Sequence, residues 1–192
     1  MKHISIILLF FGSLAFGAGP AKSSLNLDQG TGSIEFHATG HPSSIKIVGK
    51  GSAPHGKLTF TDLDVSGETT FDLSSLDTGI EMRNKHMKEK YLEVQKFPQA
   101  KLNITHLVFA QPLTENQTLD RVPFTGNLSL HGVEHPVSGT VHLDKKGNKI
   151  SINAEFSLKI RAFSITEPSF AGISMADEVL INIQSSATLS PL

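Results

Sequence analysis

The residues with the most recognisable chemical spacing are His131, Glu134 and His135, which stand in the order H-x-x-E-H. In one class of zinc metalloproteases, two such histidines share a helical face and hold zinc while the glutamate acts on a metal-bound water. Here an alternating strand pattern precedes the motif, Gly132 interrupts it and Pro136 follows it. On a strand, residues four apart lie ~13 Å apart, too far to share one ion. A turn at Gly132 would bring them closer, so a metal-dependent hydrolase stays an alternative to a simple strand–turn–strand junction.

Other reactive signatures are missing from the sequence. It contains no Cys, which excludes a thiolate nucleophile, a disulfide framework and a Cys-ligated metal cluster. It also contains no G-x-S-x-G elbow, no P-loop and no G-x-G-x-x-G. Its 17 Lys and Arg against 18 Asp and Glu give a net charge of -1, without the basic excess typical of nucleic-acid binding. The sequence therefore predicts a binding protein rather than an enzyme, with no cofactor, no metal and no nucleic-acid partner.

The elements that must position these residues are strands, because apolar and polar residues alternate with a period of two. The clearest run is Ile150 to Ile160, which spans ~36 Å at ~3.3 Å per residue. One buried and one solvated face is typical of antiparallel sheet, and the Gly147-Asn148 step predicts a hairpin. Eight or nine strands in one domain must hide their edges, which closure into a barrel achieves. A sandwich is the alternative, but strands this long favour the barrel. Further alternating runs lie at 34–38, 58–60, 102–104, 124–130, 137–143 and 179–183.

One segment departs from this period. Thr78 and Glu81 have the spacing of a capping box, and Ile80, Met87 and Tyr91 then recur at helical spacing. Pro98 prevents a longer helix. The sequence predicts one amphipathic helix over roughly 80–94 in an otherwise all-β chain.

The predicted inner face is apolar and includes five phenylalanines, and in a small barrel such side chains either fill the lumen or line a cavity. Periodicity cannot distinguish these two cases. The predicted helix and the apolar, irregular segment 165–175, with Phe170 and Ile173, resemble a lid over a cavity mouth, although both could equally plug the core. The inner-face residues are Phe36, Phe60, Phe71, Phe124 and Phe156.

The first residues have the pattern of an export signal. A short basic start at Met1-Lys2-His3 precedes an apolar run from Ile4 to Phe16, which is too short to span a bilayer as a helix. Small residues follow, so we expect a secretory signal peptide over 1–17 and a single mature domain over 18–192. An exported domain without Cys points to the bacterial periplasm, or to secretion.

Taken in order, several stretches between about 33 and 188 resemble the YceI-like family of polyisoprenoid-binding or lipid-binding periplasmic proteins. Residues 75–79 (SLDTG) with Arg83, His86 and Met87 are similar to S-[IL]-D-T-G…R-[DN]-x-H-[LM]. Residues 91–98 (YLEVQKFP) are similar to F-[DE]-V-x-[KR]-[FY]-P, and residues 124–133 (FTGNLSLHGV) to G-x-L-T-[IL]-H-G-V. Residues 163–165 and 176–179 resemble F-G-I…x-D-x-[VI]. The sequence departs from the pattern at Asn84, where Asp is common, and at 161–165, which lacks one residue and the Gly.

This resemblance implies an extended lipocalin-like antiparallel β-barrel of about eight strands with one helix, enclosing a hydrophobic tunnel. It implies a ligand such as a polyisoprenoid, an isoprenoid quinone or a fatty amide, carried or sequestered as a long isoprenoid or acyl lipid. Transient membrane contact for lipid exchange and a homodimer are further expectations. A ligand-free structural module linked to stress is the remaining alternative. The expected ligand contacts are Phe36, Phe60, Phe71, Arg83, His86, Met87, Tyr91, Phe124, Phe156, Phe163, Phe170 and Ile173, with Arg83 and His86 at the lipid head group.

Overall fold

The computed structural model describes residues 22–170 and 173–192, with the backbone alone at residues 170 and 173. The predicted signal peptide, 1–17, lies outside the described residues. The strands are β1 (Ser23–Asn26), β2 (Thr31–His41), β3 (Lys46–Gly51), β4 (His55–Phe60), β5 (Val65–Asp72), β6 (Gln99–His106), β7 (Asn116–Leu130), β8 (Val133–Lys146), β9 (Lys149–Lys159), β10 (Ser169–Phe170) and β11 (Ile173–Pro191). The helix α1 (Glu81–His86) runs into a π-helical turn (Met87–Tyr91), and single 3₁₀ turns lie at Leu27–Gln29, Leu73–Ser75 and Ile160–Phe163.

The strands form a closed antiparallel barrel of eight strand positions, as predicted. Six of these positions are each filled by one strand: β5, β6, β7, β8, β9 and β11. The seventh position is filled by β1 and β2, which both pair with β11, and the eighth is filled by β3, which pairs with β2, and β4, which pairs with β1. The short strand β1 closes the ring, because Ser24 lies opposite Thr59 of β4 on one side and opposite Ser190 of β11 on the other. Among the described residues, β1 thereby joins β4 to β11, so the sheet has no free edge at this point of the ring.

The long hairpins follow the sequence pattern closely. The β8–β9 hairpin turns at Gly147, which has a φ of 58°, and pairs Lys146 with Lys149. The β7–β8 hairpin turns at His131 and Gly132, both with positive φ, the geometry of a tight two-residue turn that suits the twist of the strands. The H-x-x-E-H segment is therefore a strand–turn–strand junction.

The alternating runs did not include the strands β1, β3, β5 and β10, although Phe71 of β5 was assigned to the inner face. β1 has only four residues, and β3 contains Gly49 and Gly51, which interrupt an apolar pattern. At Gly49 the missing side chain is replaced by the Phe36 ring of the neighbouring strand, which would lie 2.1 Å from a Cβ placed there. The glycine in β3 is therefore explained by a side chain of β2, and the sequence of β3 alone does not show this.

The predicted helix is present over Glu81–Tyr91, but its predicted cap is wrong. Ile80 occupies the N-cap position and makes no side-chain hydrogen bond to the helix. The Thr78 hydroxyl instead donates to Oδ1 of Asn84, 2.7 Å away, and accepts from Nε of Arg83, 2.9 Å away. A cap would have used Thr78 on the first backbone N–H groups. The hydroxyl here ties the preceding loop to helix side chains.

Candidate functional site

An apolar cavity of about 450 Å³ occupies one end of the barrel. This volume falls within the usual range for small-molecule sites. The end in question, called here the mouth, is where Leu73–Ser75, α1, the π-helical turn and the segment 160–170 lie, and two exposed residues of the lining, Ile80 and Met82, reach solvent there. The lining residues that sequence reasoning did not single out as contacts include Ile34, Ile45, Ile47, Leu73, Leu76, Leu128, Leu130, Leu158, Ile165, Met175, Val179 and Ile181.

The structure brings seven of the predicted contact residues together around this cavity. They are Phe36, Phe71, Arg83, His86, Met87, Tyr91 and Phe156. Whether they touch a ligand stays a prediction. The aliphatic lining escaped notice because Leu and Ile on an inner face look the same whether they fill a core or border a space.

Three other predicted contacts lie elsewhere. Phe60 and Phe124 border a second, smaller void of about 60 Å³ nearer the other end of the barrel. Phe163 is buried against the ring of His135, 5.5 Å away, and lines neither space. The alternation of apolar and polar residues predicts that an aromatic side chain lies inside the barrel, but it does not predict the position of that side chain along the barrel axis. The side chains of Phe170 and Ile173 lie outside the described residues.

A polar cluster holds the rim of the cavity between the end of β5 and the helix. Asn84 Oδ1 accepts from the backbone N–H of Thr78 at 2.8 Å, and its Nδ2 donates to Oδ1 of Asp77 at 2.6 Å. Asp77 is bound to the barrel wall as well, because its backbone N–H and carbonyl pair with those of Lys50 in β3. These bonds fix the helix over the cavity.

The carboxylate of Asp77 accepts a backbone hydrogen bond from Gly79 and a second from the Asn84 amide. These two bonds, in that order, lower the pKa of Asp77 from its ordinary value of 3.8, with a small contribution from the charge of Lys88. Hydrogen bonds to the ionised form favour it. The group is therefore a carboxylate at neutral pH, and Gly79, with a φ of 74°, allows the turn that brings its N–H to the oxygen.

Arg83 places a positive charge at this rim. Its guanidinium donates to the hydroxyl and the carbonyl of Thr78, at 2.9 and 2.6 Å. Both acceptors are neutral, and among the described residues no carboxylate forms an ion pair with Arg83. A half-buried guanidinium has five donors, so several N–H groups are left for another partner. His86 lies one turn further along on the same lining.

Tyr91 connects the helical segment to the opposite side of the mouth. Its hydroxyl oxygen lies 3.3 Å from the backbone N–H of Ser169, which donates to it, and 3.5 Å from the carbonyl of the same residue. Tyr91, Ser169 and Pro168 all line the cavity. The two apolar segments interpreted as a lid from the sequence thus meet across the end of the barrel.

The three residues of the metalloprotease-like motif each contact other residues, and both histidines contact Phe163. His131 Nε2 lies 2.8 Å from Oε2 of Glu93, and its Nδ1 lies 3.2 Å from the carbonyl of Phe163. Glu134 accepts from Ser129, and His135 stacks edge-on against Phe163. Within 22–170 and 173–192, no three His, Cys, Asp or Glu side chains are grouped as ligands of a metal ion.

Aliphatic and aromatic side chains form most of the cavity wall. Asp72, at the end of β5, also lines it and accepts a hydrogen bond from the backbone N–H of Ser74, while Arg83 lies on the helix at the rim. Such an arrangement defines a small closed β-barrel with an internal apolar cavity and a polar mouth, the general plan of proteins that enclose a hydrophobic ligand. No helix in the described part of the chain is long and apolar enough to cross a bilayer.

Comparison with known proteins identifies the class more closely. The model of the YceI-like domain matches residues 25–187. The chain belongs to the YceI-like family, as the sequence resemblance indicated.

Individual relatives agree with this assignment. Protein YceI of Salmonella arizonae and that of Salmonella paratyphi B are each 29% identical over 139 residues, which cover 67% of this chain and 68% of theirs. A polyisoprenoid binding domain from Saccharophagus degradans, implicated in plant cell wall breakdown, superposes with a TM-score of 0.65 at 14% identity, covering 88% of this chain and 98% of that one. BcnA of Burkholderia cenocepacia gives a TM-score of 0.64 at 21% identity, covering 81% and 96%. At these identities the structural neighbours establish the shared fold.

Proposed function

We propose that this protein binds a long amphiphilic lipid, with the chain in the apolar cavity and the polar head at the mouth, and carries or sequesters it without catalysis. The observation that carries the proposal is the cavity of about 450 Å³, walled by aliphatic and aromatic side chains and bordered by Arg83. The ligand class comprises polyisoprenoids, isoprenoid quinones and fatty amides. The polyisoprenoid-binding description of one structural neighbour supports the same class.

Burial of a chain supplies enough free energy for such binding. Each methylene removed from water contributes about 0.8 kcal/mol, so ten carbons contribute a gross ~8 kcal/mol before the costs of association and ordering. No charged partner is required along the walls. Affinity then depends mainly on chain length, and selectivity for the head group depends on the rim.

The direct test is to purify the protein from the compartment in which it matures and to record its native mass spectrum. We expect a bound species whose mass corresponds to one isoprenoid or acyl lipid and which is released by organic extraction. Rebinding of farnesol to the extracted protein should follow. Absence of bound lipid together with failure to bind farnesol and palmitoyl amide would overturn the proposal.

A second prediction concerns the rim, because Arg83 has N–H donors beside the cavity that are not used within the described part of the protein. The replacement Arg83→Gln should lower the affinity for farnesyl phosphate by about tenfold or more, the value of a charge-assisted hydrogen bond. It should lower the affinity for farnesol much less. Isothermal titration calorimetry measures both. Lys85→Gln is the matched control, since it removes one positive charge from the same helix at a residue outside the lining.

An equal loss of farnesyl phosphate affinity in the Lys85 and Arg83 variants would show that only general charge matters. Because Arg83 also holds Thr78, Arg83→Lys and a circular dichroism spectrum of each variant separate head-group binding from local unfolding. Retained affinity in a folded Arg83→Gln variant would contradict the role of the rim.

The place of action follows from the same proposal. The pattern of residues 1–17 supports export to the periplasm, where a lipid would be taken up from, or delivered to, a membrane. Exposed Ile80 and Met82 border the mouth, and the helical segment next to them in the chain carries Lys85, Lys88 and Lys90. We infer that this face touches the membrane during exchange. Pairing of two barrels as a homodimer stays a prediction for analytical ultracentrifugation.

A further inference from the structure

We propose that Phe124 and Phe156 form an aromatic partition across the barrel and that this partition sets the length of chain the cavity accepts. The inference rests on the proposed function and deepens it, since it names the size of the ligand rather than its presence. It comes from the position of the two rings between the two internal spaces.

The two rings meet edge to face over a glycine. Their centroids lie 6.0 Å apart at an interplanar angle of 88°. Phe124 of β7 and Phe156 of β9 are each paired with Gly139 of β8, which lies between them. A Cβ at Gly139 would lie 2.1 Å from the backbone oxygen of Glu155, 2.7 Å from the Cβ of Phe156 and 2.9 Å from Cε1 of Phe124. The absence of a side chain at Gly139 therefore permits both the close approach of β9 and the contact between the rings.

The partition has a different space on each side. Phe156 lines the large cavity with Leu128 and Ile181, whereas Phe124 lines the void of about 60 Å³. The residues next along the strands towards that void, Ala154 and Ile183, line it and not the cavity. A chain that enters from the mouth therefore meets the Phe156 ring before it can reach the second space.

Buried aromatic rings are effective barriers in such a place. Phe124 and Phe156 are 1% and 4% exposed, so both rings are shielded from solvent, although each borders one of the two internal spaces. An edge-to-face pair is also favoured over random packing of two rings. Displacement of either ring would disturb a core that is packed as densely as a crystal.

The volume on the mouth side gives the capacity. If each chain carbon needs about 30 Å³, comparable to one molecule of liquid water, the cavity of about 450 Å³ accepts roughly fifteen carbons, or about three isoprene units. A longer tail keeps its additional units outside the mouth, where they add little affinity. Removal of the Phe156 ring would join the void of about 60 Å³ to the cavity, so at the same ~30 Å³ per carbon we expect space for roughly one further unit.

The experiment measures the affinity of the full-length protein for prenyl alcohols of two, three, four and five isoprene units. For the native protein, the Kd should fall by about tenfold or more from two to three units, since five buried carbons contribute strongly. Each unit after the third should lower the Kd by less than about twofold. In Phe156→Ala, the steep decrease in Kd should continue up to four units. In Ile181→Phe, which adds a ring at the inner end of the cavity, the Kd should not decrease steeply beyond two units.

Phe109→Ala is the matched control, because Phe109 is equally buried but lines neither space. It should lose stability and keep the native length profile. Phe156→Leu, a smaller truncation, gives a second measurement if the Ala variant does not fold. An unchanged length profile in a folded Phe156 variant would overturn the partition while leaving lipid binding intact, as would a native affinity that keeps rising tenfold for each unit. Failure of the native protein to bind any of the alcohols would overturn the proposed function itself.

Discussion

Thr69 is a side chain whose chemistry does not match its surroundings. Thr69 lies on β5, is 7% exposed and borders the small void nearer the end of the barrel opposite the mouth. Its hydroxyl has no hydrogen-bond partner among the described residues. A buried hydroxyl without a partner costs about 1–3 kcal/mol. A methyl group in its place would fit the same β-branched shape.

Replacement Thr69→Val should therefore raise the free energy of unfolding by about 1 kcal/mol, because it removes a desolvation penalty without leaving a gap. Urea denaturation followed by circular dichroism measures the change. Thr140→Val, at an exposed position on β8, is the control for strand propensity and should stay within ~0.5 kcal/mol of the native protein. A destabilised Thr69→Val variant would mean that the hydroxyl pairs with an ordered water in the void.

Arg83 shows what a family resemblance can and cannot say about a single residue. The resemblance implied that Arg83 lies at the lipid head group, and the structure places Arg83 on the cavity lining. Its contact with a head group stays a prediction. The contacts made by Asn84 with Thr78 and Asp77 were not predicted, since they depend on the way the loop folds back on the helix.

Polar contacts help to hold the helical segment, because none of the residues in Glu81–Tyr91 is fully buried and only some of them, such as Met87 and Tyr91, pack against the core. Asp77 contributes through the hydrogen bonds from Gly79 and Asn84 that lower its pKa below 3.8. A carboxylate with a lowered pKa stabilises the folded state above the unfolded pKa. That contribution disappears as the pH falls through the folded value. The attachment of the helix should therefore weaken in acid, below about pH 4.

Asp77→Asn tests this attachment, because asparagine keeps an acceptor oxygen for Gly79 and Asn84 but carries no titratable charge. Between about pH 5 and pH 2, the free energy of unfolding should fall less steeply in the variant than in the native protein. The difference should be small, since the carboxylate is solvent-accessible and screened. Asp62→Asn, in the loop between β4 and β5, controls for the loss of one negative charge. If the free energy of unfolding fell as steeply with decreasing pH in Asp77→Asn as in the native protein, the proposed role of the Asp77 carboxylate in holding the helix would be contradicted.

Across the whole molecule the charges are unevenly placed. The net charge of the chain is -1, yet residues 81–96 carry five Lys or Arg and three Glu. This positive stretch adjoins the exposed apolar residues Ile80 and Met82, which are 53% and 61% exposed. Apolar side chains surrounded by lysines are typical of surfaces that rest on anionic membranes.

The double variant Lys85→Glu/Lys88→Glu should therefore bind vesicles containing phosphatidylglycerol at least about tenfold more weakly than the native protein, since each lysine near such a surface contributes ~1 kcal/mol. Co-sedimentation measures binding, and the native affinity should fall as salt is raised. Lys146→Glu/Lys149→Glu, in the hairpin at the other end of the barrel, is the matched control. Equal losses in both double variants, or no native binding to these vesicles, would contradict membrane contact through the mouth.

Alternation along the chain was enough to predict an antiparallel barrel and to assign Phe36, Phe71 and Phe156 to its interior, because a pleated strand sends successive side chains to opposite faces. Local spacing was also enough to predict the helix. Neither kind of pattern predicts the position of a residue along the barrel axis. Neither predicts the space that is left between side chains on different strands. Those depend on register and closure, which pair Gly139 with two aromatic rings, leave Phe60 and Phe124 beyond them, and open a cavity beside Arg83. An apolar inner face was therefore predictable from residue order, whereas its division into a cavity, a partition and a void arises from contacts between residues far apart in the chain.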